Sequence, residues 1–242
     1  MTSSIAITAR FDRGLSWSLH GAGQLACRSH ALVADDGGIW LIDPIDGAGL
    51  DAALDELGGS VGGVVVLLDR HLRDAPAVAG RHGVPLLVPP GRWRAGHAPP
   101  RGSVPLSPRV DGCPFTFLPL VERDGAWLEQ ALWWEEQEML VVAEAIGTTE
   151  YCRVPRDAPF GMHPVLRFGA RCRALSELPH EPRLLLVGHG EPVRAVDIPA
   201  LGDGIRSVAR EARSGIPRML MRVPGWIVGG IQARRAGRHL SC

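Results

Sequence analysis

Val64-Val65-Val66-Leu67-Leu68-Asp69-Arg70-His71-Leu72-Arg73-Asp74 decides how the rest of the chain is read. Five apolar residues, three of them β-branched, make a buried strand, and five of the next six positions are ionisable. A strand that ends in such a burst delivers charged groups to its exit, where loops from neighbouring strands deliver others. Leu184-Leu185-Leu186-Val187-Gly188-His189-Gly190-Glu191-Pro192 has the same form, with one His held between two Gly. Those glycines let the backbone turn tightly and carry the imidazole close to another group.

Short apolar runs at 15–19, 31–34 and 39–42 read as strands that precede the one at 64–68. Leu50, Ala53, Leu54 and Leu57 fall at helical spacing within 47–57, and Gly58-Gly59 supplies the stop. Residues 74–82 predict a second helix, with Pro76 tolerated in its first turn, and 84–88 the next strand. Seven prolines between 89 and 114 mark a long connection between two halves. Further strands are expected at 115–118, 131–134, 139–142 and 183–187, helices at 170–178 and 197–214, and irregular chain over 147–168. Strands outnumber the helices between them, which excludes both a pure βαβ array and an all-β sandwich. The pattern predicts an α/β fold in which two mixed β-sheets pack face to face with helices outside. A length of 242 residues suits one such domain, 1–242, with a basic, apolar C-terminal extension at 215–242.

Composition removes whole classes of function. All 26 basic residues are Arg, so a Schiff-base lysine and the lysine of a phosphate-binding P-loop are excluded. The five Cys are odd in number and show neither a Cys-x-x-Cys pair nor zinc-finger spacing, so no disulfide framework is expected. With no basic, apolar leader and no apolar run long enough to span a bilayer, the expected location is the cytoplasm. Net charge is zero, yet from Ile205 onward eight Arg face one acid, Glu211. Aromatic platforms beside that basic tail are too few for a nucleic-acid surface. Core docking or a homodimer contact is its first reading, and contact with an anionic membrane surface a lesser one.

The ionisable strand exits resemble the metallo-β-lactamase superfamily over about residues 30–195. Leu41-Ile42-Asp43-Pro44 is similar to that family's Ile-Asp-x-Gly-like segment. Asp69-x-His71-x-Arg73-Asp74 stands where the family carries His-x-His-x-Asp-His, Met139 to Glu144 resembles the strand delivering the bridging acid, and Gly188-His189-Gly190 matches the final turn. Only His71 of the central motif is unchanged. Asp69 stands where the first His is expected, Arg73 where a metal-binding Asp is, and Asp74 where a second-metal His is. No His lies in Val121-Glu122-Arg123-Asp124, where the family has another, and Glu144 replaces the bridging Asp.

The resemblance implies a metallo-hydrolase-like protein with a small-molecule substrate and an altered site, mononuclear at most. His71, His189, Asp69, Asp74 and Glu144 are its candidate ligands, with Arg73, Asp43 and His163 lining the site. Imidazole and carboxylate both suit zinc, and a carboxylate-rich set also suits manganese or iron. The alternative is a non-catalytic binding or interaction module with no metal, in which an arginine-carboxylate network has replaced it. In either case Arg73 is expected to pair with Asp69, Asp74 or Glu144, because a buried unpaired guanidinium is costly.

Weaker signals have plainer readings. Gly21-Ala22-Gly23-Gln24-Leu25-Ala26 matches a dinucleotide fingerprint but runs into a strand, so it reads as a turn. Cys152 reads as a small buried apolar group. Trp133-Trp134 reads as alternate faces of one strand, and His163 as a core or surface residue in a segment that can overhang the site.

Overall fold

The computed structural model describes residues 3–20, 27–154, 156–168 and 172–210. The extension at 215–242, the end of the last expected helix and the Gly-rich segment at 21–26 lie outside the described residues. Seven strands form the first sheet in sequential order: β1 (Ile5–Phe11), β2 (Gly14–Leu19), β3 (Ser29–Val33), β4 (Gly38–Ile42), β5 (Ser60–Val65), β6 (Leu86–Val88) and β7 (Val104–Pro105). Pairing is antiparallel from β1 to β4 and parallel from β4 to β7. The parallel steps need crossovers. Helix α1 (Leu50–Asp55) joins β4 to β5, and α2 (Ala75–His82) joins β5 to β6.

The chain continues through β8 (Thr116–Arg123), β9 (Trp127–Trp134), β10 (Met139–Val142), β11 (Ile146–Gly147), β12 (Gly161–Met162), α3 (Arg173–Ser176), β13 (Leu184–Val187), β14 (Val193–Arg194) and α4 (Leu201–Arg210). Five of these strands form the second sheet, ordered β14-β13-β10-β9-β8, while β11 pairs with β12. Alternation along each strand sorts side chains into two cores. Leu32, Trp40, Ile42 and Val65 face Phe117, Leu132, Trp134 and Val141 between the sheets. Leu15, Ala31, Ile39, Leu41, Val64 and Val66 pack instead with Leu50, Leu54, Val78 and Ala79 of α1 and α2. On the far side, Leu175 of α3 and Leu201 and Ile205 of α4 join the core of the second sheet. The layers are helix, sheet, sheet, helix, as the sequence pattern implies.

Three elements differ from the sequence pattern. β1 is a strand that the apolar pattern does not mark, because Ile5 and Ile7 are followed by Thr8 and Ala9 and alternate with Ala6, and none of these is fully buried. The short helix α3 replaces the longer one expected over 170–178, of which 172–178 are described. The apolar run 64–68 is not one strand: β5 ends at Val65, and the chain then crosses to the other sheet. There Leu67 O accepts from Gln130 N–H at 2.9 Å and Asp69 N–H donates to Leu128 O at 3.1 Å. Cys27 is disulfide-bonded, a bridge that the spacing of the five Cys, read as giving no disulfide framework, does not announce. No helix among the described residues is long and apolar enough to cross a membrane.

Candidate metal centre

The crossing from β5 to β9 sets up the site, because it turns residues 69–73 into the gap between the sheets' ends. Two non-glycine residues there, Asp43 at φ 47° and Arg73 at φ 40°, adopt the left-handed backbone that side chains other than Gly or Asn rarely tolerate. Asp43 follows β4 and is buried. Its Oδ1 accepts from Leu67 N–H at 2.8 Å, and its Oδ2 lies 2.8 Å from Nδ1 of the fully buried His71. A carboxylate at Nδ1 holds the hydrogen on that nitrogen and fixes the ring, leaving Nε2 to face the site.

Nε2 of His71 meets Glu144 Oε1 at 3.2 Å, and Nε2 of His189 approaches the same oxygen at 3.4 Å. Register brings these groups together: β10 and β13 run parallel with Val142 opposite Val187, so Glu144 and His189 leave adjacent strand ends two residues later. Gly188 has to be glycine, since a Cβ there would sit 2.3 Å from Ala143 O and 3.2 Å from His71 Cε1. Buried Glu129 of β9 pins the turn from beneath. Its Oε1 accepts from Glu144 and Ala145 N–H, both at 2.8 Å, and its Oε2 from Trp127 Nε1–H at 2.8 Å. The result is two imidazoles and a carboxylate whose ligand atoms all lie within 4.8 Å of one another.

An aromatic wall encloses one side. Arg70 donates to Glu144 Oε2 at 2.9 Å with its guanidinium carbon 3.7 Å above the Trp127 ring. Trp127 meets His163 edge-on at 5.0 Å between centroids, and Tyr151 stands 5.7 Å from His163 and 6.1 Å from His189. Burial works against the charge of Glu144, but hydrogen bonds from His189 and His71 and the charges of His71 and Arg70 prevail, and its carboxyl is held well below the usual range. His189 is pushed down, chiefly by burial, against the opposing pull of Glu144. Burial and the Arg73 charge also oppose protonation of His71, yet Asp43 and Glu144 together hold it above the usual value.

His163 therefore stands against this wall, and Asp43 is bonded to His71. The other expected residues do not join the three-ligand group. Asp69 is buried, but its Oδ1 accepts from Leu128 N–H at 3.4 Å and its Oδ2 has no partner. Asp74 is exposed at the start of α2 and accepts from Asp46 N–H at 2.9 Å. The expected pairing of Arg73 with a carboxylate is corrected: NH1 donates to the backbone oxygens of Arg28 and Asp43, at 3.0 and 2.9 Å, and the residue pairs with none of the three acids. Asp74 and Glu144 are engaged elsewhere. Sequence reasoning missed Arg70, Trp127, Glu129 and Tyr151. Arg70 occupies an unconstrained position of the motif, and only the chain crossing brings it over Trp127.

A pH dependence arises just behind the site. His30 in β3, 2.8 Å from Ser16 Oγ through Nδ1, is lowered to about 3, first by burial. Below about pH 6.5 the unfolded chain takes up a proton there that the folded chain refuses, so stability falls as pH drops through that range. By pH 5 the loss from this residue is about 2 kcal/mol. Glu129, raised to about 7 by burial, contributes with the opposite sign between its ordinary value and neutrality. Urea unfolding of wild type and His30→Gln at pH 7.5 and 5 separates the two, and the variant is expected to lose about 2 kcal/mol less than wild type on acidification.

The layered sheets, with histidines and a carboxylate at neighbouring strand exits, define a class of architecture, and comparison with solved structures gives it a name. The chain has the metallo-β-lactamase fold. It is similar to the DIM-1 metallo-β-lactamase (14% identity, 88% of this chain and 100% of that one, TM-score 0.58) and to a metallo-β-lactamase from Hirschia baltica (10%, 86% and 98%, 0.54). ETHE1 from Myxococcus xanthus is also similar (14%, 89% and 96%, 0.51). No protein-family model and no curated relative matches the sequence.

Proposed function

We propose that the chain is a metallo-hydrolase-like protein acting on a small molecule and holding at most one divalent metal, on His71, Glu144 and His189. The observation that carries this reading is the convergence of two imidazole nitrogens and one carboxylate oxygen within 4.8 Å, behind a His whose other nitrogen is fixed by Asp43. Two imidazoles, a carboxylate and an open position are a ligand set known for catalytic zinc and for mononuclear iron. The chemistry such an ion supplies when bound is Lewis acidity and an acidified water. The chain's own residues do the rest. Asp43 orients His71, Glu129 anchors the backbone that carries Glu144, and Trp127, His163 and Tyr151 limit access of bulk water. Arg73 disfavours a second cation, since its charge already lowers the proton affinity of His71 and His189.

One observation favours a second reading. Arg70 occupies Glu144 Oε2 at 2.9 Å, which is the arginine-carboxylate contact of a non-catalytic module with no metal. Zinc titration of chelator-treated protein, followed by assay against an ester, thioester, amide and phosphodiester panel, separates the two. The hydrolase reading expects one zinc per chain and turnover that disappears on chelation and in His189→Ala. Absence of zinc uptake in wild type would leave the binding module.

A further inference from the structure

Arg73 is anchored by one nitrogen and idle with the other two. NH1 donates to Arg28 O and Asp43 O, while Nε and NH2 are buried without a hydrogen-bond partner. Nε–H and the adjacent N–H of NH2 form one edge of the guanidinium, two parallel donors spaced to meet two oxygens of one oxyanion. Arginine cannot relieve its burial by losing a proton, so an idle charged edge carries a standing cost until something accepts from it.

The three acids whose charge reaches the guanidinium are each bound to other groups. Asp43 is held by Leu67 N–H and His71, Glu144 by Arg70, His71 and His189, and Asp74 by Asp46 N–H. All three attract the guanidinium from a distance, and its charge reaches both histidines of the candidate metal centre. The left-handed backbone of Arg73 keeps the side chain in this position at a local conformational cost.

We propose that the Nε–NH2 edge of Arg73 is a binding site for an oxyanion, a carboxylate or a phosphate, carried by a ligand that lies against His71, Glu144 and His189. The anion site needs no metal. As a statement about substrate, that the hydrolysed molecule is anionic, it rests on the hydrolase reading.

Calorimetric titration of chelator-treated protein with acetate and, separately, with inorganic phosphate keeps the two questions apart, because no metal is present. At least one anion is expected to bind at millimolar concentration, and the tighter of the two names the group. Arg73→Lys retains the charge but loses the fork, and is expected to weaken binding by about tenfold or more. Should that variant fail to fold, the wild-type protein still decides: an arginine Nε–H resonance in its nitrogen-edited spectrum, matched to Arg73 by selective labelling, shifts on addition of the anion. No binding of either anion, equal affinity in a folded Arg73→Lys, or an unmoved Arg73 resonance would overturn the proposal.

Discussion

Asp43→Ala is expected to destabilise the protein by about 3–5 kcal/mol, the range for removing one member of a buried charged hydrogen-bond network. Both carboxylate oxygens are in use, one on Leu67 N–H and one on His71 Nδ1, so the truncation orphans two buried groups at once. It also removes the largest attraction offsetting the desolvation of Arg73. Asp43→Asn is the informative companion. Asparagine tolerates the left-handed backbone, and its carbonyl keeps the bond from Leu67 N–H, while the amide nitrogen cannot accept from the imidazole. That variant should fold, with a loss nearer 1–2 kcal/mol, and should bind zinc about 10–100-fold more weakly because His71 loses its orienting partner. Urea unfolding and zinc titration of the pair measure the two effects separately. Equal zinc affinity in wild type and Asp43→Asn would remove Asp43 from the account of the site.

The second large effect is at Glu144. Its Oε1 lies between the Nε2 atoms of His71 and His189, at 3.2 and 3.4 Å. Glu144→Gln keeps the shape but takes away the anionic donor, and zinc affinity is expected to fall by about 100-fold or more. Arg70→Met should act in the opposite direction. Removing the guanidinium frees Glu144 Oε2 and one positive charge leaves the site, so affinity should rise by about tenfold. Circular dichroism of each variant guards against misfolding. A rise in Glu144→Gln or a fall in Arg70→Met would show that the carboxylate serves the arginine rather than a metal.

The sequence carries the fold through patterning. Residues 39–42, 64–65, 139–142 and 184–187 are apolar on both faces because each lies in a sheet covered on both sides, and that is legible as short unbroken apolar runs. Glycines flanking His189 announce a tight exit, and Gly188 indeed leaves no room for a Cβ. What the sequence does not carry is the direction of the chain after Val65. Val66 still bonds to Leu87 of β6, and Leu67 and Leu68 continue the apolar run without a break yet bridge to β9; that crossing decides which side chain of the following burst faces the cluster. It sends Asp69 toward Leu128 and leaves Arg70 to meet Glu144. The pairing expected of Arg73 is plausible on charge alone and differs because the carboxylates around it have stronger claims from imidazoles, backbone amides and Arg70. Spacing in a motif gives residue types, whereas hydrogen-bond competition between types is settled only in three dimensions.

Zinc-edge X-ray absorption of the protein loaded with excess zinc tests the central claim, a single metal on His71, Glu144 and His189. The account predicts one zinc per chain, nitrogen and oxygen neighbours at about 2.0–2.1 Å with the multiple-scattering signature of two imidazoles, and the loss of one imidazole in His189→Ala. A metal-metal vector at about 3.5–4 Å, or a spectrum unchanged by His189→Ala, would contradict it.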